Sequence, residues 1–208
     1  LSLKSGRNKV IAEADCFPSD LYVLEGVKSL RPDLEILLEG RDGSSIHEML
    51  DEQVAAVLIN HVDYRSGTIR DMENLTRQVQ EFGGLAVWDL SHSAGIFPVQ
   101  LNRCRVDFAV GCTYKYLNGG PGAPAYLYAA SRHHTACNQP LSGWFGHARP
   151  FDFERHFDPD SGIRRFVCGT QPILSLRALQ SGLEIYQDVS LQQVREKSKA
   201  LTHLFIKL

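Results

Sequence analysis

The chain has 208 residues with a formal net charge of −2, 43% hydrophobic residues and 22% charged residues, the ordinary balance of one globular domain with a sizeable core. The small net charge argues against a nucleic-acid or membrane-surface partner, and no apolar run approaches the roughly 20 residues of a membrane-spanning helix. The five cysteines are scattered and odd in number, which favours reduced thiols in a cytosolic protein over a disulfide framework.

Strands and helices alternate along the chain. The pattern of apolar residues predicts short strands over 9–14, 34–38, 54–59, 85–88, 107–110 and 123–129, the last four of them buried. Helices are predicted over 19–28, 45–50, 68–82, a stretch after Pro172, and 191–208. Ser19 or Asp20 is the expected cap of the first helix, and Thr170 is the expected cap of the helix after Pro172.

This alternation predicts an α/β domain with a mostly parallel sheet that helices cover on both faces. Ligands bind such sheets at the carboxyl ends of the strands. Asn60, Asp89 and Lys115 each follow a predicted strand, so we expect them to meet in one crevice. The loop-rich stretch 130–166 is long for a compact domain, which indicates a functional role.

Several common site motifs are missing. The sequence contains no GxGxxG after a strand, no GxxxxGK[ST] loop and no GxSxG turn. His47-Glu48 lacks the second histidine of a zincin, and no two cysteines have CxxC spacing. We therefore expect no metal site, including at His133, His134 and Cys137.

Lysine and aspartate remain as candidate catalytic groups. Lys115 lies between Tyr114 and Tyr116, and desolvation in such surroundings favours the neutral amine that forms a Schiff base with an aldehyde. Asp89 ends a buried strand and needs a partner, which a protonated pyridine nitrogen would provide. Each residue alone has a commoner interpretation: a surface lysine, a turn or capping aspartate, a backbone-bonded loop histidine for His92, and a core or interface aromatic for Trp144.

Five separated motifs, in order, resemble the kynureninases, a family of pyridoxal-phosphate (PLP) enzymes of the aspartate-aminotransferase fold type, fold type I. The motifs are Phe17-Pro18-Ser19-Asp20, Trp88 to Gly95, Gly111 to Gly122, Gly143-Trp144 and Gly169-Thr170-Gln171-Pro172. The resemblance runs from about Val10 to the last residue.

The resemblance implies a role for each site residue. Lys115 would carry the cofactor aldehyde and remove the substrate α proton, Asp89 would pair with the pyridinium nitrogen, and Phe17 would stack on the ring. The other implied cofactor-binding residues are Pro18, Ser19, Asp20, Asn60, His92, Tyr114, Trp144 and Thr170. Tyr114 is also a candidate proton carrier, and a second subunit would supply Trp144 and Thr170.

The implied reaction is PLP-dependent hydrolysis of the Cβ–Cγ bond of L-kynurenine, or of its 3-hydroxy form. The products are anthranilate, or 3-hydroxyanthranilate, and L-alanine. The resemblance places this reaction in tryptophan degradation and NAD biosynthesis, in a cytoplasmic homodimer that binds a small-molecule substrate and neither nucleic acid nor membrane.

The chain also departs from the family. Nothing matches the family's phosphate-binding loop, and the sequence begins with Leu and ends within a helix pattern, so we expect a piece of a longer enzyme. Residues 1–172 would be a large PLP-binding domain without its N-terminal part, and residues 173–208 would lead toward a missing small domain.

Two alternatives remain open from sequence. One is a non-catalytic fragment or scaffold. The other is a cysteine desulfurase-like lyase of the same fold type, for which Cys137 or Cys168 would be the mobile-loop cysteine, although neither lies in a matching motif.

Overall fold

The structure, a computed structural model of residues 1–208, contains six strands in one sheet. In chain order these are β1 (Lys9–Glu13), β2 (Glu35–Glu39), β3 (Val54–Asn60), β4 (Leu85–Asp89), β5 (Phe108–Cys112) and β6 (Ala125–Ala129). Their order across the sheet is β2-β1-β3-β4-β5-β6. The first five strands are mutually parallel, and β6 runs antiparallel to β5. The predicted α/β class with a mostly parallel sheet is confirmed.

Five α-helices accompany the sheet. They are α1 (Pro18–Leu30), α2 (Ile46–Met49), α3 (Met72–Glu81), α4 (Ile173–Glu184) and α5 (Leu191–Lys207). Between residues 131 and 166 the chain forms short 3₁₀ turns and one isolated antiparallel bridge, His147 with Pro159, as the loop-rich composition predicts. None of the helices is both long and apolar enough to cross a membrane.

The two faces of the sheet are packed differently. On one face, α3 inserts Thr76 and Val79 against the strands, and Trp88 donates its indole N–H to Thr76 Oγ1 at 3.0 Å. On the other face, α1 lies over an apolar cavity of about 370 Å³ and has no buried residue of its own. The face that α3 covers therefore holds most of the buried core, including Ile11, Val57, Ile59, Ala86, Trp88 and Ala109.

Three predicted helix starts are wrong. α1 begins at Pro18 with Phe17 as its cap, so neither Ser19 nor Asp20 caps it. Proline fits the first helical position because the N–H that it lacks would have no partner within the helix there. The helix predicted from residue 68 begins at Met72, where the Asp71 side chain accepts the Asn74 N–H. The cap of α4 is Pro172, not Thr170.

The prediction of β6 as a buried strand is also wrong. Only Ala129 of this strand is buried, because β6 lies at the edge of the sheet with a single neighbour. The connection from β5 to β6 spans residues 113–124 and contains no helix, so the chain returns beside β5 as an antiparallel strand.

Candidate active site

The carboxyl ends of β3 and β4 lie side by side at one edge of the sheet. Asn60 and Asp89, the last residues of these strands, are paired in the parallel register. Side chains alternate between the two faces of a strand, so both residues share the face that α1 covers. β5 lies next in the sheet and leads directly to the loop that carries Lys115.

A cavity of about 240 Å³ opens at this edge. It is lined by the start of α1, the loop after β4 and the loop after β5. The lining residues are Phe17, Ser19, Asp20, Asp89, Ser91, His92, Val110, Gly111, Cys112, Tyr114, Lys115 and Ala125. Lys115 and Asp89, which are separated in sequence, therefore share one cavity.

The Lys115 amine lies between aromatic rings and an imidazole. Its Nζ atom is 5.6 Å from the centre of the Phe17 ring and 5.7 Å from the centre of the Tyr114 ring. The same atom is 2.9 Å from Nε2 of His92. Aromatic faces attract a cation without forming a covalent bond or an ion pair to it, so the amine is oriented while it stays free to react.

Three glycines allow close packing around the Lys115 loop. A Cβ atom on Gly95 would lie 2.6 Å from the Tyr116 carbonyl oxygen, and one on Gly182 of α4 would lie 2.5 Å from the Asn118 carbonyl oxygen. A Cβ atom on Gly111 would lie 2.5 Å or less from atoms of the Tyr126 ring. Elements before and after the loop in sequence therefore fix its position.

Asp89 offers an acceptor that the protein leaves unused. The residue is 8% exposed, and its one side-chain hydrogen bond is from the Ser91 N–H to Oδ1 at 2.7 Å. The other oxygen, Oδ2, accepts no hydrogen bond from the protein. A buried carboxylate is costly without a partner, and a protonated ring nitrogen would supply one. With the Lys115 amine and the Phe17 ring in the same cavity, these residues fit PLP.

Asp20 is the second carboxylate of the cavity. Its Oδ2 atom accepts a hydrogen bond of 3.4 Å from the Asn60 side-chain amide. Burial, with the nearby negative charge of Asp89, raises the pKa of Asp20 to about 6, although the hydrogen bond from Asn60 opposes that rise. Asn60 thus reaches the cavity through Asp20 and does not line it.

His92 is held by Tyr64 on one side and by Lys115 on the other. The Tyr64 ring stacks on the imidazole at 6.1 Å between ring centres and meets the Phe17 ring edge-on at 5.5 Å. Burial and the positive charge of Lys115 lower the pKa of His92. The imidazole is therefore neutral at pH 7, and its Nε2 atom accepts a hydrogen bond from the Lys115 ammonium.

Tyr114 lies at the mouth of the cavity, where it is 51% exposed. The neighbouring Cys112 raises the pKa of Tyr114. Its hydroxyl therefore keeps its proton at neutral pH, as a proton donor requires.

A model of the aminotransferase class-V family matches residues 36–208. The chain belongs to the aminotransferase class-V family.

Curated relatives of this chain are named kynureninase, and two of them come from Deinococcus radiodurans and Burkholderia mallei. That of Deinococcus radiodurans is 48% identical over 204 residues, which cover 98% of this chain and 49% of that protein. That of Burkholderia mallei is 46% identical over 203 residues, which cover 97% of this chain and 49% of that protein. The predicted resemblance to kynureninases is confirmed, and the chain spans about half the length of the curated relatives it matches.

The fold of this class-V chain also occurs in a cysteine desulfurase from Escherichia coli. The two superpose with a TM-score of 0.76 at 17% identity, over 95% of this chain and 50% of that one. At that identity the likeness shows the fold alone. Neither Cys137 nor Cys168 lines the cavity that contains Lys115, so the geometry does not favour the desulfurase alternative.

Four predicted site residues do not line this cavity: Pro18, Asn60, Trp144 and Thr170. Pro18 is exposed at the first turn of α1. Trp144 is 42% exposed and packs against Phe145 and Phe151, with ring centres 4.2 and 5.8 Å away. Thr170 is exposed on the segment before α4.

Sequence reasoning missed Tyr64 and several lining residues of the class-V site. Ser91, Val110, Gly111, Cys112 and Ala125 line the cavity but were not singled out. Ser91, Gly111 and Cys112 lie within motifs that were recognised, so their neighbours in sequence could have indicated them. Tyr64 follows Asn60 by four residues, and only the course of the loop after β3 brings its ring to His92.

Proposed function

We propose that the chain forms the catalytic core of a PLP-dependent kynureninase. It would hydrolyse the Cβ–Cγ bond of L-kynurenine or 3-hydroxy-L-kynurenine, giving anthranilate or 3-hydroxyanthranilate together with L-alanine. The observation that carries the proposal is the shared cavity of the Lys115 amine and the Asp89 carboxylate. Identity of 46–48% to proteins named kynureninase supports this choice of substrate among class-V reactions.

When bound, PLP supplies an aldehyde that condenses with amines and a ring that accepts an electron pair. Lys115 would hold the aldehyde carbon, because its amine projects into the cavity. Asp89 would accept a hydrogen bond from the ring nitrogen and keep it protonated. Phe17 would cover one face of the ring, and Ser19 and Asp20 lie beside it at the start of α1.

Lys115 would also move the α proton of the substrate. Its amine must be neutral to accept that proton, and the neutral His92 imidazole at 2.9 Å orients the amine through a hydrogen bond. Tyr114 would donate a proton at the mouth of the cavity, where its hydroxyl stays protonated. These groups place a base and an acid within one cavity, as a reaction with several proton transfers requires.

The remaining predicted residues suit an assembly of two copies. Trp144 and Thr170 are exposed and lie away from the cavity of their own protomer, which supports their supply to the cavity of a partner in a homodimer. Pro18 would set the direction of α1, and Asn60 would act through Asp20. The division into a large domain over 1–172 and a connection toward a small domain over 173–208 belongs to the same proposal, as does a cytoplasmic role in tryptophan degradation.

The test measures anthranilate fluorescence after mixing the chain with PLP and L-kynurenine. We expect anthranilate from the native chain and none from Lys115→Ala, with Lys28→Ala, an exposed lysine of α1, as the matched control. Parallel reactions with L-cysteine should yield no sulfide. Sulfide production, or a PLP-loaded native chain that forms no anthranilate, would overturn the proposal.

A further inference from the structure

Glu13 ends β1 close to the candidate site without touching its cavity. The residue is 9% exposed, and its Oε2 atom accepts the backbone N–H of Asn60 at 2.7 Å. β1 ends at Glu13 while β3 continues to Asn60. The carboxylate therefore replaces the main-chain acceptor that a longer β1 would have offered, and it fixes the end of β3.

Arg70 holds Glu13 in place. Its Nε atom donates to Glu13 Oε1 at 2.9 Å, and its Nη1 atom donates to Glu39 Oε1 at 3.2 Å. The side chains of Glu13 and Glu39 are each only 11% exposed. One guanidinium thus bridges two buried carboxylates, a geometry that favours arginine over lysine.

The geometry points to Glu13 and Arg70 as positioning residues for Asn60. They hold Asn60 where its side-chain amide donates a hydrogen bond to Asp20 and turns the Asp20 carboxylate toward the cavity. The contacts form one continuous path from Arg70 to Glu13, from Glu13 to the Asn60 backbone, and from the Asn60 side chain to Asp20. The purpose of the path rests on the proposed function, because Asp20 would face bound PLP.

Glu13→Gln breaks the path with little change in shape. The carboxylate accepts hydrogen bonds on both of its oxygens, whereas an amide must direct its NH₂ group at either Asn60 or Arg70, both of which are donors. Glu39→Gln is the matched control, because Glu39 is equally buried, also bonds Arg70 and also accepts one backbone N–H, that of Ile46 at 3.3 Å. Of these two glutamates, only Glu13 accepts a hydrogen bond from Asn60.

The deciding measurement is the protonation midpoint of Asp20 in the PLP-free chain. The ¹³C chemical shift of the Asp20 carboxyl carbon reports this midpoint as the pH is varied. The charges that act on Asp20 come from Asp89, Glu13 and Lys115. If Glu13 acts by its charge alone, removing that charge lowers the midpoint. If Glu13 positions Asn60, the lost hydrogen bond outweighs the lost charge, and the midpoint rises by about 0.5 pH unit.

The expected results are a rise in Glu13→Gln, a rise in Asn60→Ala, and no shift in Glu39→Gln. In the Asn60→Ala background, Glu13→Gln should instead lower the midpoint, because only its charge effect remains. A fall or no change in the single Glu13→Gln variant would overturn the inference, as would an equal rise in Glu39→Gln. Should Glu13→Gln fail to fold, Arg70→Lys keeps the charge, loses the bridge and must also raise the midpoint.

A second readout tests the link to PLP. Glu13→Gln should weaken PLP binding about tenfold, as loss of a hydrogen bond to a charged group does, while Glu39→Gln should stay within about twofold of the native chain. A native chain that binds no PLP would count against the proposed function, whereas the Asp20 midpoint would still decide the inference.

Discussion

Nζ of Lys115 lies 2.9 Å from Nε2 of His92, although 23 residues separate them. The imidazole is neutral because burial and the lysine charge both lower the pKa of His92. A neutral imidazole accepts a hydrogen bond from the ammonium, which fixes the position of Nζ beside the Phe17 and Tyr114 rings. Lys115 is therefore oriented by a neutral neighbour and two aromatic rings, without a direct ion pair to a carboxylate.

Lys115→Ala should abolish covalent attachment of PLP. Borohydride reduction followed by mass measurement should find a phosphopyridoxyl group on the native chain and on the control Lys28→Ala, but none on Lys115→Ala. A reduced adduct of unchanged yield in Lys115→Ala would assign the attachment to another lysine.

Asp89→Asn should keep the Lys115 adduct but slow removal of the substrate α proton by about a hundredfold or more, because an uncharged amide cannot keep the ring nitrogen protonated. Exchange of the α proton with deuterated solvent measures this step. Asp188→Asn, at an exposed aspartate that forms no ion pair and does not line the cavity, is the control and should exchange at the native rate. Near-native exchange in Asp89→Asn would contradict the role given to Asp89.

Asp20→Asn should change how stability depends on pH. The pKa of Asp20 is raised from 3.8 to about 6 in the folded chain, so the folded state binds more protons than the unfolded state between these values. The stability that Asp20 contributes is complete below pH 4 and is lost as the pH rises through 6. Because the group is partly exposed, we expect the advantage of Asp20→Asn over the native chain to grow by only about 1 kcal/mol from pH 4 to pH 8.

Urea unfolding of both chains at the two pH values measures this difference. Asp188→Asn should show no such growth. The same stability difference between Asp20→Asn and the native chain at both pH values would show that the surroundings do not raise the pKa of Asp20.

Asp107→Asn should destabilise the fold by about 3 kcal/mol, because it disrupts a buried ionic hydrogen-bond network. Burial alone would raise the pKa of Asp107, but hydrogen bonds from Gln80, the Ala86 N–H, His133 and Arg132 outweigh burial and lower the pKa. This stabilisation is present above the usual value of 3.8 and is lost as the pH falls through the lower, folded value. Urea unfolding at pH 7 and pH 3 should show the deficit of the variant shrinking in acid, and an unchanged deficit would contradict this assignment.

Gly182→Ala should loosen the Lys115 loop. Its Cβ atom would lie 2.5 Å from the Asn118 carbonyl oxygen, so we expect a stability loss of about 1–2 kcal/mol and PLP binding weakened about tenfold. Gly26→Ala in α1 is the control, since nothing lies within 4 Å of its added carbon, and it should stabilise the chain by about 0.5–1 kcal/mol. Thermal unfolding and PLP titration of both variants measure the contrast; equal behaviour would mean that α4 does not support the loop.

Local signals were enough to predict most of the sheet. Apolar runs such as 54–59 and 85–88 are buried only in strands that are covered on both faces of the sheet, so these strands and their parallel arrangement could be predicted. The helix starts were harder, because Ser19 and Thr170 are good caps by type while Pro18 and Pro172 determine where the helices begin. The edge position of β6 depends on which strands it pairs with, and its own residues do not encode that.

For the candidate site too, some residues could be predicted from the sequence and others could not. Lys115, Asp89, Phe17 and His92 lie in compact motifs that sequence can identify. Glu13, Tyr64 and Arg70 act through contacts to residues that are distant in the chain, such as Glu13 to the Asn60 N–H across 47 positions. A charged residue at a strand end looks like an ordinary surface group until the partner strand is placed beside it.

The packing of α4 on the Lys115 loop has a consequence for how the protein is made. Gly182 and Tyr186 contact the loop, and Tyr186 donates its hydroxyl hydrogen to the Tyr116 carbonyl. A ribosome adding about 5–20 residues per second delivers these contacts several seconds after Lys115 itself. During translation the nascent chain therefore carries a Lys115 loop that lacks these contacts until α4 and Tyr186 have been synthesised.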